Sequence, residues 1–208
     1  MARHHKTTPK ISTTSKDPEL FIGIVGAVGT DLNLLCSALK ESFSQVHYQF
    51  KEIHVIEQIH LFSKWKSLPE KPLELRYRSH IAAGDEFRET FGLGDALARW
   101  SLTALREIRR EETGDPNEPI SRTAFGLRSL KHPEEIKLLR NIYGQNFFLI
   151  AAYSPYDTRL SQFTKRIASS HNVSGAAITK YKAAATEILE LDQVEGDKKL
   201  GQNLRESF

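Results

Sequence analysis

The sequence predicts an α/β fold, a doubly wound parallel sheet flanked by helices, on three observations. Leu20-Phe21-Ile22-Gly23-Ile24-Val25 is a nearly unbroken apolar run, as expected of a strand buried on both faces of a parallel sheet. A glycine-bearing turn, Gly26 to Asp31, joins it to Leu32, Leu35, Cys36, Leu39 and Phe43, which fall at offsets 0, 3, 4, 7 and 11 on one helix face. Strand-like and helix-like segments then alternate along the rest of the chain.

Each later element has its own local reason. Thr30 or Asp31 is placed to cap the first helix through a side-chain oxygen. Tyr48 to Ile56, rich in aromatic and β-branched residues, reads as the second strand and completes a βαβ unit. Leu97, Trp100, Ala104, Leu105 and Ile108 form a helical stripe, with Arg106, Arg109 and Arg110 on its solvated side. A polar loop, Glu111 to Pro119, leads to a strand at Thr123 to Leu130. Pro133 opens a helix, where its fixed φ and missing N–H cost nothing, and that helix carries Ile136, Leu139 and Tyr143 as far as Gly144. Phe147 to Tyr153 is the most apolar strand. Leu160, Phe163 and Ile167 mark one further helix, and Ile178, Tyr181, Ala185 and Ile188 another.

Composition narrows the function. With 208 residues, 39% of them hydrophobic, the chain can bury a real core. No apolar run reaches the 18 or so residues of a membrane span, and the start (Met1-Ala2-Arg3-His4-His5-Lys6) lacks the apolar core of a signal peptide. A cytoplasmic protein with no membrane partner is expected. The single Cys36 excludes a disulfide framework and any multi-cysteine metal site. Net charge is +3, of which Arg3, Lys6, Lys10 and Lys16 against Asp17 and Glu19 supply +2. The excess cations thus sit in a Thr/Ser-containing basic tail over 1–18, expected to be disordered, and not on a nucleic-acid-binding face.

The candidate site is Gly23-x-x-Gly26-x-x-Gly29. Glycines between a buried strand and a helix let the backbone turn tightly and approach a phosphate, which the helix N-terminus then receives. Gly23, Gly26, Ala27, Val28, Gly29, Thr30 and Asp31 are therefore the expected nucleotide-binding residues. A loop built for phosphoryl transfer would end in Gly-Lys-[Ser/Thr]; here Gly29 is followed by Thr30-Asp31, without the lysine and with an added negative charge. A dinucleotide loop is the competing reading, with Glu52 or Glu57 to meet the ribose, although no Tyr-x-x-x-Lys pair accompanies it. His132-Pro133-Glu134 matches half of a zinc deaminase signature, but Pro-Cys-x-x-Cys is absent, and a helix start explains those residues better. The remaining histidines show no His-x-x-x-His spacing. No metal ligands and no catalytic residues are expected in this chain.

Gly23 to Leu32, Arg128 to Glu135, Phe147 to Ile150 and Asp192-Gln193-Val194-Glu195 with Gly201-Gln202 resemble the bacterial anti-phage deoxycytidylate (dCTP/dCMP) deaminases. Those antiviral-defence proteins join an N-terminal P-loop domain, similar to nucleotide kinases, to a C-terminal zinc deaminase domain. The resemblance covers only the first of these. It implies a P-loop NTPase-like domain over 19–170, then a helix and linker over 171–208 leading to a deaminase domain that this sequence does not contain. The zinc, and the conversion of dCTP or dCMP to the uracil nucleotide, would belong to that absent domain. The ending Gly201 to Phe208 reads as an interrupted linker, from a truncated piece or a gene product split from its deaminase half.

What the resemblance implies for this chain is regulation: binding a nucleotide, with or without magnesium, and controlling the deaminase domain. A homo-oligomer and an inhibitory RNA or protein partner are further expectations. Nucleotide kinases carry lid arginines after a strand comparable to Phe147–Tyr153, and Arg159 and Arg166, seven residues apart on one helix face, are similar. Arg76, Arg78 and Arg88 are candidates to face an acceptor nucleotide. The alternatives are an active small nucleotide kinase whose phosphate lysine comes from elsewhere, such as Lys131 or Lys165, and an NAD(P)-binding domain.

Overall fold

The computed structural model describes residues 17–194; the basic tail up to Lys16 and the linker from Glu195 onward lie outside the described residues. Four strands, β1 (Leu20–Gly26), β2 (Gln49–His54), β3 (Thr123–Leu130) and β4 (Phe147–Ala152), make one all-parallel sheet in the order β2-β3-β1-β4. Among the described residues six α-helices accompany it: α1 (Leu32–Gln45), α2 (Leu73–Phe91), α3 (Ala96–Thr113), α4 (Pro133–Tyr143), α5 (Tyr156–Ser170) and α6 (Lys182–Val194). Among the described residues, no helix is long and apolar enough to cross a membrane.

β1 sits between β3 and β4, so its backbone is paired on both edges and its side chains are covered on both faces. Ile22 and Ile24 face Cys36 and the apolar stripe of α1. Phe21 and Val25 point the other way, into the main core with Phe87 of α2, Leu105 of α3 and Leu139 of α4. A separate apolar cluster joins α2, α5 and α6 through Ile81, Phe163, Ile167, Ile188 and Leu189.

The caps agree with the chemistry of the sequence. Asp31 accepts the Leu34 N–H at 3.0 Å to start α1. At α4 the His132 ring accepts the Glu134 N–H, and the Glu135 carboxylate reaches back to the His132 N–H, closing a capping box. This is the structural use of His132-Pro133-Glu134.

Several elements differ from expectation. α2 has no strong apolar stripe, because His80, Asp85 and Arg88 are among its buried residues, and its periodicity is hidden accordingly. Arg109 is not on a solvated face: it pairs with the buried Glu19. The expected last helix is divided, with a 3-10 turn at Gly175–Tyr181 followed by α6. β4, the most apolar strand, is an edge strand; only its Phe147 is buried, and Phe148 is half exposed.

Candidate functional site

α1 leaves β1 toward β2, whereas α4 leaves β3 toward β4, on the opposite face of the sheet. The chain therefore diverges between the C-terminal ends of β1 and β3, the place where open α/β sheets leave a crevice. A cleft of about 390 Å³ lies there, lined by the loop Gly26 to Asp31, Arg128 and Lys131 of the β3 end, and Arg76, Tyr77 and His80 of α2.

Gly29 holds φ at +88°, and a Cβ there would lie 2.8 Å from the Arg159 Cβ and 3.0 Å from its carbonyl oxygen. Only glycine fits this turn. Gly26 is less constrained, since an added Cβ would meet the flexible end of Leu32. Gly23 lies within β1, where a Cβ would run into Phe147 and Leu130; it is a packing glycine and does not line the cleft.

The loop is already engaged by a carboxylate. Asp192 of α6, fully buried, accepts the Val28 N–H at 2.7 Å and pairs with Lys131 Nζ at 2.8 Å. Lys131 Nζ also donates to the Gly26 carbonyl at 3.1 Å, so lysine and aspartate together close over the glycine turn. The Thr30 hydroxyl oxygen is buried and makes no hydrogen bond among the described residues.

The two lid candidates separate. Arg166 lines the cleft and donates to the Tyr77 hydroxyl at 3.3 Å. Arg159 is buried behind the loop, where its guanidinium donates to the carbonyls of Val28 (3.0 Å) and Ser154 (3.2 Å); it braces the turn. Among the other arginines, Arg76 faces the cleft between Glu57 and Glu70, Arg78 reaches Glu187, and Arg88 is buried with Asp85 and Glu135.

Arg128 is held at the cleft floor by Asn33 Oδ1 at 2.8 Å, Glu52 at 3.1 Å and His54 Nε2 at 3.1 Å. Burial, and then the Arg128 cation, hold the His54 ring below its ordinary pKa, so it accepts from Arg128 as a neutral imidazole. The cleft is thus rimmed by cations, most of them steered by a neighbouring acid. It offers anion recognition more readily than acid–base chemistry.

Asp192, part of the resembling segment Asp192 to Glu195, carries a second, physical signal. Ala185, Ile188 and Leu189 lie seven, four and three residues before it, so an acid falls on the apolar stripe of a helix and needs a buried partner. No protein-family model matches the chain, and no curated protein matches it.

Proposed function

We propose that the chain is a nucleotide-binding regulatory domain of the P-loop NTPase type, whose ligand phosphates enter the Gly26–Asp31 loop and displace the Asp192 carboxylate. The observation that carries this reading is the buried carboxylate on the loop. A glycine turn at a helix N-terminus accepts an anion through its N–H groups, and here Asp192 already does so internally, with Lys131 as counter-ion. A phosphate that took its place would gain Val28 N–H, Lys131 and the orphaned Thr30 hydroxyl, and would release α6. Binding would thereby be coupled to the position of a C-terminal helix. With the resemblance to the anti-phage deoxycytidylate deaminases, this gives a regulatory role toward a deaminase domain that lies outside this chain.

A second reading, an active nucleotide kinase, is favoured by one observation: Lys131 brings an ammonium to the glycine turn from a neighbouring strand. The two are separated by incubating the protein with ATP, GTP, deoxynucleotides and NAD(P), reading melting temperature and phosphoryl transfer to dCMP. The regulatory reading expects a deoxynucleotide or ATP at 100 times its Kd to add about 2.7 kcal/mol, without transfer. Turnover to dCDP would favour the kinase. A shift with NAD(P) alone would overturn both.

A further inference from the structure

A cluster of four ligand-type side chains lies on the α2 wall of the cleft, drawn from three separate segments. Glu57 and His60 belong to the 3-10 turn Ile56–Leu61, Glu70 to the stretch before α2, and His80 to α2 itself. One ligand atom from each lies within 4.8 Å of all the others. The two Nε2 atoms are 3.3 Å apart; His60 Nε2 is 3.2 Å from Glu57 Oε2 and 3.8 Å from Glu70 Oε1, and His80 Nε2 is 3.5 Å from that same Glu70 oxygen.

Hydrogen bonding fixes which atoms face inward. His60 Nδ1 lies 2.9 Å from the Trp65 carbonyl oxygen, and His80 Nδ1 lies 2.8 Å from that of Arg76. A carbonyl only accepts, so each Nδ1 carries a ring hydrogen that is engaged outside the cluster, and each ring turns its Nε2 inward, the nitrogen free to bind a metal. The outward oxygens of the carboxylates are taken by one residue: Arg76 donates from Nε to Glu70 Oε2 at 2.8 Å and from its NH2 group to Glu57 Oε1. Two imidazole Nε2 atoms and two carboxylate oxygens therefore converge on one point, each held there by a contact made through the other side of its group.

We propose that Glu57, His60, Glu70 and His80 form a tetrahedral site for a divalent transition metal of the zinc class. Bonds of about 2.0–2.1 Å imply ligand–ligand edges of about 3.3–3.4 Å, close to the shorter separations found here. Two imidazoles with two carboxylates suit zinc and its neighbours, whereas calcium and magnesium take oxygen ligands. The supporting contacts are also those of a metal site: backbone carbonyls on both Nδ1–H groups and a guanidinium orienting both carboxylates. Four protein ligands leave no open position, so the metal's role is structural. It pins the turn after β2 to α2 and sets the place of Arg76 on the cleft wall. None of this depends on what the glycine loop binds. The site also departs from the sequence expectation that zinc belongs only to an absent domain.

The experiment uses the full chain, stripped of metal and titrated with Zn²⁺ by calorimetry and with Co²⁺ by visible absorption. His4→Gln/His5→Gln serves as the reference, so that the terminal histidines do not contribute. The expected result is one metal per chain and intense tetrahedral cobalt bands. Affinity should fall more than about 100-fold in His60→Gln and in Glu70→Gln, and about 10–100-fold in Arg76→Met, where only an orienting contact is lost. Glu70 is 57% exposed, so Glu70→Gln leaves the fold intact; far-ultraviolet dichroism checks each variant. Absence of stoichiometric binding would overturn the proposal. Binding undiminished by Glu70→Gln, or octahedral cobalt spectra, would overturn it equally.

Discussion

Replacing Asp192 by Asn tests the proposed displacement directly. The amide oxygen can still accept the Val28 N–H, but the charge facing Lys131 at 2.8 Å is gone. A hydrogen bond to a charged group contributes about 1.5–3 kcal/mol. Lys131 keeps the Gly26 carbonyl and some solvent contact, which argues against the larger cost, about 3–5 kcal/mol, of stranding a fully buried ion. At about 2–4 °C per kcal/mol for a chain of this size, Tm should fall by about 3–12 °C. If phosphate must break the same contact to enter the loop, the variant should bind nucleotide about 10–160-fold more tightly. Calorimetric titration with a deoxynucleotide triphosphate reads the affinity, and a thermal melt reads the stability. Asp31→Asn removes a cleft charge that does not touch Val28, and its gain in affinity should be several-fold smaller. Lower stability with unchanged affinity would refute the idea that ligand and aspartate compete for one place.

Two further predictions follow from local geometry and ionisation. Gly29→Ala should cost at least about 1–2 kcal/mol for its left-handed backbone alone, with the contact to the Arg159 backbone added, and should abolish nucleotide binding; Gly26→Ala should lose less than half as much by thermal melt. Tyr143, stacked on Phe21, has its phenol pushed up to about 12, chiefly by burial. Its neutral form is thus favoured in the folded chain. That contribution is complete below the unfolded value near 10 and is lost as pH rises toward 12. Urea melts between pH 9 and 12 should show a shallower decline for Tyr143→Phe than for the native sequence.

The sheet was legible because its signals are local. The run Leu20–Val25, the cap at Asp31 and Pro133 at a helix start all act within a few residues, and each element they predict is present. α2 was not legible. Its buried face carries His80, Asp85 and Arg88, polar groups that pair with one another, with the helix's own backbone and with His60 and Glu135, so no apolar period marks it. The cleft divides the same way. The glycine turn stands out in sequence, and helical spacing points to Arg166, which lines the cleft. Arg159 shares that spacing, yet packing turns it toward the loop's backbone. The cluster of Glu57, His60, Glu70 and His80 escaped because its members come from three segments, and no ligand motif spans them. Asp192 was readable in principle, as an acid on an apolar stripe.

The contact between Val28 and Asp192 joins positions 164 residues apart. During synthesis from the N-terminus, the glycine turn and its flanking strands emerge long before α6 does. Contacts of such wide separation form late, because so much chain must be brought together first. A nascent chain that stops short of Lys182 lacks the carboxylate that holds the Val28 N–H and pairs with Lys131. The carboxylate that holds Val28 and Lys131 arrives only as α6 docks, so the proposed competition between ligand and aspartate can begin only once the chain through Asp192 has been made.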